Sequence, residues 1–259
     1  MSTLLFNQIV YGPVFSRRLG NSLGINLLPQ NGKVCSFDCL YCECGFNHAH
    51  TKGKLPSLQA IQNALTTGLE SLHKQGVRLD VITFAGNGEP TLHPHFAQII
   101  DDCIRMRDQW FPEAQLSVLS NATQLHRPDV VAALLKADNA ILKMDSCIEA
   151  TFRTLDRPTS ERFTLEVLTN QLKAFPGKLI IQTLFTRGQY EGNTVDNTTD
   201  VEVNAWIRCI KEIQPHSVMV YTIDRETPAQ SLEKIPLPEL EAIAKRLTDA
   251  TGIAVQVAG

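Results

Sequence analysis

The feature that most constrains this chain's fold is a change of hydrophobic period that repeats along its length. Short runs rich in β-branched and apolar residues, at 23–28, 80–85, 115–119, 139–144, 178–185 and 216–223, read as strands. Stretches whose apolar residues recur every three to four positions follow them. These are 57–75, 94–108, 128–137, 163–175, the segment after Thr199 that carries Val203, Trp206, Cys209, Ile210 and Ile213, and 238–250. A short strand at 253–257 closes the series. Alternation of this kind predicts an α/β fold with a parallel sheet and helices outside it. Six strand-helix units are too few for an eight-strand barrel. Residues 1–22, punctuated by Gly12, Pro13 and Gly20, read as an irregular cap. Residues 23–259 read as one domain with it, and 189–197 as a polar, flexible loop.

The second constraint is chemical. Cys35-Ser36-Phe37-Asp38-Cys39-Leu40-Tyr41-Cys42 forms a C-x3-C-x2-C run soon after the first predicted strand. Three thiolates within eight residues can reach one inorganic cluster from one side. Fully protein-ligated 4Fe–4S cubes use four cysteines, so three leave one iron open to a small molecule. Zinc is the main rival. Cys44, His48 and His50 follow, and four of these six residues make a tetrahedral sulfur and nitrogen set. The usual zinc pattern, C-x2-C with a second pair at a distance, is absent. A set of purely structural thiols fits such tight clustering poorly. Seven cysteines is an odd count and most are scattered, which predicts no disulfide framework. Cys103 and Cys209 fall on apolar helical stripes and read as core thiols. Cys147 reads as a spare thiol.

Polar residues gather at the ends of the other predicted strands, where barrel folds build their sites. Gly86-Asn87-Gly88-Glu89-Pro90 ends the second strand, with two glycines that allow close backbone approach and one carboxylate beside them. A dinucleotide loop is excluded, because no third glycine opens a helix. His93 and His95 flank Pro94 and read as turn or capping residues. Ser120 and Asn121 end the third strand. Lys143 and Asp145 lie two apart at the fourth and share a strand face, as an inward ion pair or as ligand-binding groups. Arg187 ends the fifth. Arg17 and Arg18 form a pair able to bind a carboxylate or phosphate, or to stand on the surface.

Composition narrows the partners. With 43% hydrophobic residues the chain can bury a substantial core, and its longest apolar run is too short to span a bilayer. No basic segment followed by an apolar stretch opens it, so a soluble, cytoplasmic protein without a membrane partner is expected. Net charge is −3, from 24 basic and 27 acidic residues, which leaves no global nucleic-acid footprint and keeps the question of a nucleic-acid partner open.

The cysteine run, with Tyr41 before its last cysteine, resembles the signature of radical S-adenosylmethionine (radical SAM) enzymes. Gly86 to Glu89 resembles the glycine-glycine-glutamate motif of that family, with Asn87 where its second glycine usually stands. The resemblance covers nearly the whole chain and implies an open, partial (β/α)6 TIM-like barrel. It implies a 4Fe–4S cluster on Cys35, Cys39 and Cys42, with SAM chelated at the open iron. It places Tyr41, Gly86, Asn87, Gly88, Glu89, Ser120, Asn121, Lys143, Asp145 and Arg187 around SAM. The implied activity is reductive cleavage of SAM to methionine and a 5′-deoxyadenosyl radical that abstracts a hydrogen from an unknown substrate. The electron would come from an external donor of flavodoxin or ferredoxin type. Tyr11 to Gly20 and Gly86 to Pro94 resemble a subgroup related to wyosine-type tRNA modification enzymes. No further cysteine cluster is present, so no auxiliary iron–sulfur centre is expected. An activator or maturation protein acting on a protein or peptide, and a non-catalytic zinc-binding module, are the alternatives.

Overall fold

The computed structural model describes residues 4–47 and 53–259. A hairpin of β1 (Val10–Ser16) and β2 (Gly20–Ile25) comes first. It is followed by α1 (Leu58–Lys74), β3 (Val81–Phe84), a 3-10 turn (Pro90–Leu92), α2 (Phe96–Trp110), β4 (Gln115–Ser120), α3 (Pro128–Leu134) and β5 (Asn139–Lys143). Two helices then run in succession, α4 (Glu149–Leu155) and α5 (Leu165–Lys173). The chain ends with β6 (Leu179–Tyr190), β7 (Asn193–Asp196), α6 (Asp200–Ile213), β8 (Ser217–Thr222), β9 (Leu232–Lys234), α7 (Leu237–Thr251) and β10 (Ala254–Ala258).

Among the described residues the strands form one sheet in the order β1-β2-β3-β4-β5-β6-β8-β10, with β7 and β9 paired to β6. Each neighbouring pair from β2 to β10 is parallel. The sheet curls into an open half-barrel, the architecture that the family resemblance implies. β3 is buried at every residue, as a strand covered on both faces must be.

The helices begin and end where local chemistry permits. Ser57 caps α1, its hydroxyl accepting from Ala60 N at 3.2 Å. Ile61, Leu65 and Leu69 then turn fully inward from one face, each worth about 2 kcal/mol in apolar burial. Thr199 caps α6 by accepting from Glu202 N at 3.3 Å. The buried Trp206 of that helix donates its indole N–H to Thr183 Oγ1 on β6 at 3.0 Å, so its one polar atom is satisfied. Gly252 stops α7 in the left-handed region (φ 73°), with its N–H on the Thr248 carbonyl at 2.8 Å.

Four sequence expectations need correction. The presumed irregular cap holds β1 and the start of β2. Gly12 and Pro13 fall where the ladder shifts register between Tyr11 and Val14, which an edge strand tolerates. The presumed loop at 189–197 is largely a hairpin, β6 continuing to Tyr190 and returning as β7. Its polar sequence suits exposed strands as well as it suits a loop. Helix α2 starts at Phe96 rather than Pro94, because the 3-10 turn intervenes. Helix α4 was not anticipated: it turns only Phe152 and Leu155 inward, too few apolar positions to show a period.

The turn between β1 and β2 crosses to the far edge of the sheet. Arg17 Nη1 donates to the Gly259 carbonyl at 2.6 Å, and Gln256 Nε2 donates to the Arg18 carbonyl at 2.9 Å. Side chains rather than a strand ladder therefore bridge β1 to β10. No helix among the described residues is long and apolar enough to cross a membrane.

Candidate active site

The cysteine run leaves the end of β2 and is fixed from two sides. On one side Val34 N donates to the Asn87 carbonyl (2.9 Å) and Glu89 N donates to the Val34 carbonyl (3.1 Å), so the loop is bridged to the end of β3. On the other side Asp38 N and Leu40 N donate to the carbonyls of Asp156 (3.1 Å) and Leu155 (3.0 Å) at the end of α4. The residues between the cysteines act as anchors. Phe37 and Leu40 are completely buried, and Phe37 packs edge-on against Phe152 and Phe163 at centroid distances of 5.7 and 5.8 Å. The side-chain amide of Asn47 donates to the carbonyls of Cys35 (3.2 Å) and Phe37 (3.0 Å).

This loop presents three free thiols: Cys39 is buried, and Cys35 and Cys42 are half-buried. Burial pushes the Cys35 thiol up to about 12 and also raises Cys39 well above the usual thiol range. Cys42 is held below the usual thiol range by the neighbouring Cys44 thiol, against burial and with help from the Lys33 ammonium. Lys33 is itself buried, with Nζ 2.8 Å from the Gly45 carbonyl and 3.5 Å from Asp38 Oδ1. Buried thiols shed protons when a metal centre replaces that positive charge, so the donor set fits an iron–sulfur cluster. Among the described residues no three His, Cys, Asp or Glu side chains close around a single metal ion. The ligands of a cube bind different irons and stand farther apart than the ligands of one ion. Cys44, offered by the zinc reading as a ligand, donates its thiol to the Gly86 carbonyl at 3.3 Å. His48 and His50 lie outside the described residues.

The end of β3 is built around two side chains. Glu89 is buried, and its Oε1 accepts from Thr91 N (3.1 Å), Thr91 Oγ1 (2.5 Å) and Ser120 Oγ (2.8 Å), while Oε2 accepts from Asn121 N (2.6 Å). Burial raises this carboxyl, and the hydrogen bonds oppose that rise. The carboxylate thus ties the ends of β3 and β4 together. Asn121 extends the network to the cysteine loop, its Nδ2 lying 2.9 Å from Ser36 Oγ and 3.6 Å from Cys35 Sγ. Gly88 has φ 131°, and a Cβ there would overlap the Val34 carbonyl, so only glycine admits the cysteine loop this closely. Asn87 departs from the expected glycine for a visible reason. Its amide donates to the carbonyls of Phe6 (2.9 Å) and Pro29 (2.8 Å) and accepts from Phe6 N (2.9 Å). That side chain staples the N-terminal segment and is used up in doing so.

At the end of β5, Lys143, Asp145 and Tyr41 meet, all three in mutual contact. Lys143 Nζ also stands 2.8 Å from Asp156 Oδ1. Asp145 and Asp156 are almost wholly buried. Burial pushes the Asp156 carboxyl up to about 8, against the pull of Lys143. One ammonium faces two carboxylates, so holding a proton on the second removes an unbalanced buried charge. Sequence reasoning grouped Lys143 with Asp145 but missed Asp156. That residue caps the unanticipated α4 and carries no motif of its own. Arg187 is not brought to this centre; its guanidinium pairs with Glu239 on α7. His93 and His95 serve the turn, with His95 N on His93 Nδ1 at 3.2 Å. A cavity of about 410 Å³ opens beside the cysteine loop, with Tyr41, Cys42, Arg18 and Tyr221 in its wall.

No family model matches the chain. It is 28% identical over 252 residues to a protein of Brachyspira hyodysenteriae named GTPase Obg, covering 96% of this chain and 35% of that one. It is 29% identical over 219 residues to a UPF0026 protein of Helicobacter pylori, covering 84% of this chain and 67% of that one. The chain therefore spans about a third of the first relative and two thirds of the second. Among solved structures it resembles Streptococcus suis SuiB bound to S-adenosylmethionine, with TM-score 0.63 and 15% identity, over 91% of this chain and 50% of that one. It also resembles TYW1 with a lysine-pyruvate adduct bound, with TM-score 0.63 and 14% identity, over 89% of this chain and 74% of that one. In its described residues the chain shares the open partial-barrel fold of these solved structures.

Proposed function

We propose that this chain is a radical SAM enzyme whose cluster is held by Cys35, Cys39 and Cys42. The observation that carries the reading is the seating of the cysteine loop. Three free thiols stand where the ends of β3, β4 and β5 converge, and the loop is bridged to β3 through Val34 and Gly88. When bound, a 4Fe–4S cluster supplies the electron that cleaves SAM to methionine and a 5′-deoxyadenosyl radical, which abstracts a hydrogen from substrate.

The chain's own residues do the rest. Gly88 lets the loop lie against β3, and Glu89 fixes the ends of β3 and β4 as one template. Asn121 approaches the Cys35 sulfur. Gly86 and Gly88 set the course of the backbone at the end of β3, where the amino end of SAM would bind, and Ser120 follows at the end of β4. Lys143, Asp145 and Tyr41 form a polar cluster suited to the ribose and carboxylate. Neither Asn87 nor Arg187 takes part through its side chain, since both are engaged elsewhere. An external flavodoxin- or ferredoxin-type protein supplies the electron. The cytoplasm is the compartment that suits seven free thiols.

Anaerobic reconstitution followed by iron and acid-labile sulfide analysis tests the assignment. About four irons and four sulfides per chain are expected for one cube, and their loss in Cys39→Ala. Stoichiometric zinc without sulfide would overturn it.

A further inference from the structure

The β1–β2 turn carries two adjacent arginines that the fold treats in opposite ways. Arg17 is drawn to the sheet edge, where it donates to the Gly259 carbonyl at 2.6 Å and lies 3.5 Å from Asp224. Arg18 is directed toward β6 and β8. Its Nη1 donates to Gln182 Oε1 at 2.8 Å, and its guanidinium carbon stands 4.2 Å over the centre of the Tyr221 ring. The turn itself is held, with the backbone N–H groups of Arg18 and Leu19 both on Ser16 Oγ and the Arg18 carbonyl accepting from Gln256. Arg18 is therefore a half-buried cation on a fixed mount in the wall of the cavity that also contains Tyr41 and Cys42.

The charges around that cavity do not balance. Arg225 pairs with Glu43 at 2.7 Å, and Arg17 faces Asp224. Among the described residues Arg18 has no acidic partner: Gln182 and Tyr221 are its neighbours, and one of its five N–H donors makes a hydrogen bond. A planar guanidinium laid on an aromatic ring keeps its remaining donors in a fixed plane, the arrangement that grips a carboxylate through two parallel bonds. A single unmatched positive charge suits a monoanion rather than a phosphate dianion. The cavity, at about 410 Å³, lies within the ordinary range for small-ligand sites.

We infer that this cavity takes a small carboxylate-bearing substrate and that Arg18 is its anchor. The site opens beside Cys42, so a molecule gripped at Arg18 extends toward the cysteine loop. The inference rests on the radical SAM reading for the ligand's role as substrate, and on the cavity alone for its carboxylate.

The test uses the full chain as purified, with iron content recorded, and trifluoroacetate as the probe, followed by the width of its fluorine NMR line. Broadening by the wild-type protein, reversed by acetate, is expected. Binding about tenfold weaker is expected for Arg18→Gln, the weight of one charge-assisted hydrogen bond, and Arg17→Gln should bind as wild type does. A thermal melt near that of wild type establishes that Arg18→Gln is folded. Equal broadening by wild type and folded Arg18→Gln, or displacement by phosphate in preference to acetate, would overturn the inference. Protein that binds the probe through Arg18 but takes up zinc without sulfide on anaerobic reconstitution would leave the carboxylate site standing while the radical SAM reading fell.

Discussion

The two sides of the barrel mouth are built on different principles. At the ends of β3 and β4, order comes from hydrogen bonds among mostly neutral groups around one carboxylate, Glu89, and from one glycine that admits the cysteine loop. At the end of β5, order comes from charge, with Lys143 set between Asp145 and Asp156 under the Tyr41 hydroxyl. The first side is a template whose geometry matters more than its electrostatics. The second is a buried charge balance, where removing one member leaves the others uncompensated.

That contrast orders the expected effects. Lys143→Met should be the most damaging to stability, costing about 3–5 kcal/mol in urea denaturation, because the buried Asp145 carboxylate loses its charged partner. A cost under about 1 kcal/mol, the range of exposed pairs, would show that the triad is not a charge-balanced unit. Next comes Gly88→Ala, where strain of about 1–3 kcal/mol should be accompanied by poor iron incorporation, since relief requires the Val34 segment to move. Normal iron content in that variant would detach the cysteine loop from the β3 template. Asn87→Gly restores the more usual motif residue but removes the staples to Phe6 and Pro29. It should cost about 2 kcal/mol in lost hydrogen bonds and leave iron incorporation intact.

The charged side should also answer to pH. The Asp156 carboxyl is raised in the folded state from 3.8 to about 8. The native chain therefore holds a proton that the unfolded chain has released across that window. Stability from this group is present at the acid end and is lost as pH rises toward about 8. Asp156→Asn should flatten that part of the stability profile, read from denaturant midpoints between about pH 5 and pH 8; an unchanged slope would place the titration elsewhere. The smallest effect is expected from Arg187→Gln. Its partner Glu239 is partly exposed, so a change within about 1 kcal/mol and unaltered SAM binding by equilibrium dialysis are expected.

Sequence and structure agree most where chemistry is local. The C-x3-C-x2-C run, the Gly86 to Glu89 turn and the polar residues ending β4 and β5 are short-range signals, and the fold brings Cys35, Glu89, Ser120 and Asn121 into one network. The strands were legible because parallel, doubly covered strands are continuous apolar runs, as in Val81–Phe84. What escaped was assembled at long range or carried too few inward apolar residues to show a period. Asp156 reaches Lys143 only because α4 delivers it, and α4 turns only Phe152 and Leu155 inward. Strand β1 was hidden by Gly12 and Pro13, and β7 by its polar composition. Arg187 shows the converse case. A strand end is a good place to seek ligand-binding groups, but β6 continues into a hairpin and carries that residue out to α7.

The central claim is that these cysteines arm SAM for cleavage. The most direct measurement is the formation of 5′-deoxyadenosine and methionine by anaerobically reconstituted protein reduced with dithionite in the presence of SAM. The account predicts that wild type forms both and that Cys39→Ala, carried through the same reconstitution, forms neither. Equal turnover by Cys39→Ala, or a wild-type chain that takes up zinc in place of iron and leaves SAM intact, would contradict it.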